Sequence, residues 1–144
     1  MPESAAQPVT VAPTRARFTE VIACLAAIAA VKISLAVRGF AATLRGIESR
    51  HGEVRDESDD TVARIDHVVA VAAALYPGRA LCLERSLVLY DRLRRAGAGA
   101  RAEFRLGVQA APFAAHAWVE RHGVPVNDVL EHIEQFTPVP LGTP

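Results

Sequence analysis

Two cysteines in 144 residues are too few for a disulfide framework, and neither stands in a CxxC or CxxxC pair. A reduced, cytoplasmic setting is therefore the default expectation. Aromatic residues are scarce, at 6% of the chain, and net charge is absent because sixteen basic and sixteen acidic residues cancel. The missing basic excess argues against a nucleic-acid binder, which usually carries a basic face and a high domain pI. Zero net charge predicts poor solubility alone, or a partner that covers surface. The start, MPESAAQPVTVAPTRAR, lacks the charged opening and apolar run of a signal peptide. The apolar stretch Val21 to Val31 is interrupted by Lys32, and its continuation ISLAV meets Arg38, so a membrane-spanning helix is not expected.

What is present is a globular composition, 51% hydrophobic and rich in alanine, long enough for one domain with a modest core. Three parts follow. Residues 1–17 hold three prolines among small and polar side chains and read as a disordered tail. Residues 18–60 form an N-terminal helical region and a charged linker. Ile22, Ala26, Ala29, Ile33, Val37, Phe40 and Leu44 recur at helical spacing, with Gly39 as the point where the segment can divide. Val21, Leu25, Ile28 and Leu35 widen that stripe. The linker, RGIESRHGEVRDESDD (45–60), ends in the N-cap candidates Ser58, Asp59 and Asp60.

Residues 61–144 carry the rest. A helix is predicted over 61–76, with Val62, Ile65, Val69, Ala72 and Tyr76 inward, stopped by Pro77-Gly78. A second follows through ALCLERSLVLYDRLRRAG and ends at Gly97, its last turn basic. The period then changes to two. RAEFRLGVQ alternates, with Ala102, Phe104, Leu106 and Val108 on one side, and HAWVERHGVPVND reads as a hairpin. The C-terminal VLEHIEQFTPVPLGTP begins as a short helix or strand and ends in proline-rich coil. Helices first and antiparallel strands after them make an α+β domain, with the helices packed on a small sheet.

Cys82 stands near a helix start. A thiol attacks as its thiolate, which the positive end of a helix and a neighbouring imidazolium both favour. Five histidines could supply the imidazolium: His51, His67, His116, His122 and His132. His116 stands in a strand, which holds a side chain firmly. If Arg121-His122-Gly123 is a three-residue loop, Glu120 pairs with Val124, Trp118 faces Val126 and His116 faces Asp128. A carboxylate opposite an imidazole fixes its tautomer, the third role in a nucleophile–base–carboxylate arrangement. A two-residue His122-Gly123 loop would put Asp128 on the other face.

The runs CLERS at 82–86, HAWVE at 116–120 and Asn127-Asp128 resemble the transglutaminase-like cysteine peptidases of lasso-peptide biosynthesis, across about residues 61 to 130. That resemblance implies a transglutaminase- and papain-like core in residues 61–144, with Cys82 as nucleophile, His116 as base and Asp128 as orienting acid. It implies removal of a leader peptide from a ribosomally made precursor, after a leader with threonine next to last. Too few residues precede the first helix for a fused recognition domain, so the resemblance implies a stand-alone form. Its partners would be a separate leader-recognition protein, the precursor peptide and an ATP-dependent macrolactam synthetase. No cofactor is implied.

Each residue also has a plainer reading. Cys24, in VIACLAAIAA, is expected in the core. Trp118 shares a strand face with His116 and either lines a substrate groove or packs half-buried. Arg85, the other candidate substrate contact, either pairs with a carboxylate beside the site or is solvated, and Glu120 is expected to be structural. Ser86, one turn after Cys82, can bond back to its own helix. Cys82, His116, His122 and Asp128 could in principle surround zinc, but His122 would point away from the turn and no close ligand pair anchors the set, so no metal is expected. The wide stripe of residues 18–44 has three readings: core first, then a docking groove, then membrane contact. A partner-binding stripe supports an alternative function, a non-catalytic subunit that presents precursor to another enzyme.

Overall fold

The computed structural model describes residues 17–50, 57–97 and 102–142. The expected tail and His51 lie outside these. Four helices come first: α1 (Phe18–Arg38), α2 (Phe40–Ser49), α3 (Asp59–Leu75) and α4 (Cys82–Arg95). The strands follow: β1 (Ala102–Ala110), β2 (Phe113–Arg121) and β3 (Val124–Pro125), then the short helix α5 (Leu130–Ile133) and β4 (Thr137–Pro138). They form one antiparallel sheet in the order β3-β2-β1-β4, and α4 packs across β2 and β1. The expected α+β order is what the chain adopts.

Helix α4 is the centre of the domain. Leu87, Val88, Leu89 and Leu93 are fully buried, each contributing roughly 1.5–3 kcal/mol of apolar transfer. Helix α3 begins where expected, with the Ser58 hydroxyl accepting the Thr61 amide at 3.3 Å. Val62, Val69 and Ala72 face inward, joined by Val68. Arg121, buried at the end of β2, donates to Asp59 at 2.8 Å and to the Glu57 carbonyl, tying the sheet to the start of α3.

Gly39 divides the first segment, with φ of 79° that a side chain would resist. The linker begins later than expected, because α2 runs through Ser49. The Glu48 carbonyl accepts Arg94 at 2.8 Å and its carboxylate accepts the Tyr90 hydroxyl at 3.3 Å, so contacts with α4 hold that last turn. Which face of α1 is buried is also a correction. Val21, Cys24 and Ile28 enter the core, while Ile22, Ile33 and Val37 are exposed. Lys32 lies within α1, as the helical spacing predicts. Its ammonium reaches Glu84 of α4 at 3.1 Å, and α1 is long and apolar enough to cross a membrane by length and composition.

Strand β2 starts at Phe113 and pairs with β1 from Ala110↔Phe113 onward. At the other end the loop expected to hold three residues holds two. Arg121 pairs with Val124 and Glu120 with Pro125. His122 (φ 54°) and Gly123 (φ 75°) both take the left-handed conformation that a two-residue turn between twisted strands requires.

Candidate active site

A two-residue loop, continued as a regular ladder, would turn Asp128 away from His116. The ladder does not continue. Val126 donates to the Val119 carbonyl at 2.8 Å, but the Val119 amide goes to the Asn127 side-chain oxygen at 2.9 Å. The Asn127 amide thus takes a place that a backbone carbonyl would fill, and the chain leaves the strand there. Asp128 returns to the His116 side, and its Oδ2 makes a short hydrogen bond with His116 Nε2. The expected partners meet by a different route.

Asn127 does a second job. Its Nδ2 donates to Ser86 Oγ at 2.9 Å, and that hydroxyl donates to the Ala117 carbonyl at 2.9 Å. Ser86 is fully buried, so its bond goes across to the sheet and not back into its own helix. One serine and one asparagine therefore bolt together α4, β2 and the segment after β3. Cys82, the first residue of α4, lies one turn before Ser86; His116 precedes Ala117; Asp128 follows Asn127. Cys82 is half-buried, and no hydrogen bond joins its thiol to His116 among the described residues. Substituting Ser86 by alanine strands the Ala117 carbonyl and the Asn127 amide in a dry site, at about 1–3 kcal/mol. A urea titration should record that loss as a lower midpoint with an unchanged slope.

Asp128 is held from several sides. Its Oδ1 accepts the Val129 amide at 2.8 Å, and His132 Nδ1 lies 2.9 Å from both carboxylate oxygens. Burial pushes the carboxyl up, but the hydrogen bonds from His132, Val129 and His116 outweigh it, and the net direction is down. An ionised carboxylate only accepts, so the ring nitrogens facing it carry the hydrogens. For a neutral His116 this leaves Nδ1 as the basic nitrogen. His132 was one of five candidate histidines, but its pairing with Asp128 was not expected, although the spacing of four residues across the start of a helix was the available signal.

The His116 ring has an aromatic wall. Trp118 stacks at 5.9 Å between centroids, Phe136 lies at 5.2 Å, and His132 meets it edge-on at 4.7 Å. Trp118 is 2% exposed and gives its indole N–H to Glu120 at 2.9 Å, while Glu120 also accepts Arg105. Its face is the floor under the imidazole. Arg85 reaches Asp66 on α3 at 3.5 Å, and burial raises the Asp66 carboxyl against the pull of that guanidinium. Cys24 is 3% exposed, and burial pushes its thiol up, as befits a core residue.

Gly107, opposite His116 in the β1–β2 pair, sits under this wall. A Cβ there would lie 2.8 Å from Phe136 Cβ and 3.0 Å from the Trp118 ring. The Phe136 Cβ cannot swing away without its backbone. Gly107→Ala should therefore cost about 1–3 kcal/mol, read as a lower Tm, and broaden the His116 ring signals in NMR.

The chain is a helix-first α+β domain, with Cys82 opening its central helix, His116 on strand β2 and Asp128 in the segment after β3. Residues 24–140 match the sequence model of the Transglutaminase-like superfamily, and the chain belongs to that superfamily. Its members generally carry peptidase or transferase chemistry on cysteine, histidine and aspartate. No curated protein and no solved structure gives a significant match.

Proposed function

We propose that this protein is a cysteine peptidase that removes the leader from a ribosomally synthesised lasso-peptide precursor, with Cys82, His116 and Asp128 as its catalytic residues. The observation that carries the reading is the Ser86–Asn127 bolt, which fixes the elements bearing those residues to one another. The Cys82 thiolate attacks the scissile carbonyl, and the protonated His116 gives its proton to the leaving amine. Water, deprotonated by His116, then hydrolyses the thioester and frees the leader acid and the thiol. Asp128 holds the imidazole in the Nε2–H tautomer and stabilises its charged form. The backbone N–H of Cys82 is a candidate oxyanion donor.

In this reading the precursor is delivered by a separate leader-recognition protein, and an ATP-dependent macrolactam synthetase takes the product. The exposed apolar residues of α1 support a partner-covered surface, and they also support the second reading, a non-catalytic precursor-binding subunit. Mass spectrometry of precursor incubated with this chain and the recognition protein separates the two. Two fragments whose masses sum to precursor plus one water support the peptidase. Intact precursor that binds the chain supports the subunit, and a leader fragment joined to an added amine would instead identify a transferase.

A further inference from the structure

We infer that His116, Asp128 and His132 form a binding site for a divalent transition metal of the zinc class, and that the metal switches the catalytic arrangement off. The donor atoms of these three residues lie within 4.8 Å of one another. Donors around a tetrahedral zinc stand roughly 3.3 Å apart, so an ion enters by side-chain rotations that part the Asp128 carboxylate from the two rings and draw the ring nitrogens together. Two imidazoles and a carboxylate are the donor set of open zinc sites, in which the fourth position goes to water.

The surroundings suit a metal as well. His116 is fixed in a strand, and Asp128 is oriented by the Val129 amide and by its neighbour Asn127. Trp118 and Phe136 give one side a dry aromatic wall. The His132 side chain is 45% exposed, against 17% for His116 and 12% for Asp128, so it forms the open side through which an ion enters. His122, weighed as a ligand from the sequence, stands in the β2–β3 turn and is not among the three.

Coordination needs a lone pair where each ring now carries a hydrogen. Binding at His116 Nε2 and His132 Nδ1 moves each ring proton to the other nitrogen through solvent, with no net proton change. For His116 the consequence is direct. Nδ1 becomes an N–H and can no longer accept the proton of a thiol, while Nε2 loses its bond to Asp128. The metal thus removes the base and its orienting partner together. The binding claim stands on these three residues alone, whereas the switching claim rests on the peptidase reading above.

The test is made on the metal-free full-length chain carrying Cys82→Ala, which removes the thiol from the metal's choices. Calorimetric titration with zinc chloride is expected to give one saturable site. His132→Gln should weaken it by more than roughly tenfold, and His122→Gln should leave it unchanged. In the wild-type chain, NMR should show zinc shifting the ring signals of His116 and His132 and sparing His67, which holds the test open even where His132→Gln unfolds. Absence of a saturable site, or equal affinity in the His132→Gln chain, overturns the proposal. If wild type cleaves precursor, zinc should stop it and a chelator should restore it. Cleavage that persists with the site filled overturns the switch, and a wild type that never cleaves refutes the peptidase reading while the binding result stands.

Discussion

Replacing Cys82 with alanine should reduce leader cleavage by about 10⁶-fold, to the rate that binding and oxyanion contacts alone support. The loss is chemical and not structural. Cys82 is half-buried at the first position of α4, its thiol makes no hydrogen bond among the described residues, and alanine suits a helix better than cysteine. Stability should therefore stay within about 0.5 kcal/mol of wild type. Affinity for the precursor should also persist, because the thiol contributes to the transition state and little to ground-state binding. Kinetics under single turnover, together with a thermal melt, measure both halves. A variant that cleaves at the wild-type rate removes Cys82 from the chemistry.

Asp128→Asn is the second large effect, about 10⁴-fold on turnover. Asparagine has the same shape but no charge, and its amide can donate to His116 Nε2. That donation favours the tautomer with hydrogen on Nδ1, which has no lone pair for the thiol. The substitution also changes the pH dependence of stability. The folded-state carboxyl is depressed, so its contribution is present above the unfolded value and is lost as pH falls through the folded one. Removing the carboxylate should flatten that acid limb, which melts recorded from neutral pH to about pH 3 will show. An Asp128→Asn chain with wild-type turnover contradicts the orienting role.

The elements that carry Cys82 and His116 were legible for concrete reasons. Pro77-Gly78 stops α3 and forces a new helix, which places Cys82 at its start. Alternation around His116 marks a strand, and the change of period after Gly97 marks the passage from helices to sheet. The sequence left two hairpin registers open and could not choose between them, because the two-residue loop needs His122, a non-glycine residue, at positive φ. The compensation was equally hidden. A side chain that substitutes for a backbone carbonyl, as Asn127 does at Val119, leaves no periodic trace. Nor could period choose the buried face of α1, because apolar residues ring it and only packing against α3 and α4 decides. The extra turn of α2 depends on Glu48 meeting Arg94 and Tyr90, a contact 42 or more residues away in the chain.

The central claim is that Cys82 and His116 act as one unit. The most direct measurement is the rate at which iodoacetamide labels each cysteine, mapped by peptide mass spectrometry in the wild type and in His116→Gln. Burial alone protects Cys24, so a preference for Cys82 over Cys24 is expected in both chains and decides little. The comparison between the chains decides. Labelling of Cys82 should be rapid in the wild type at neutral pH and slowed at least about tenfold when His116 cannot hold the proton. Equal Cys82 labelling rates in the two chains would contradict the claim.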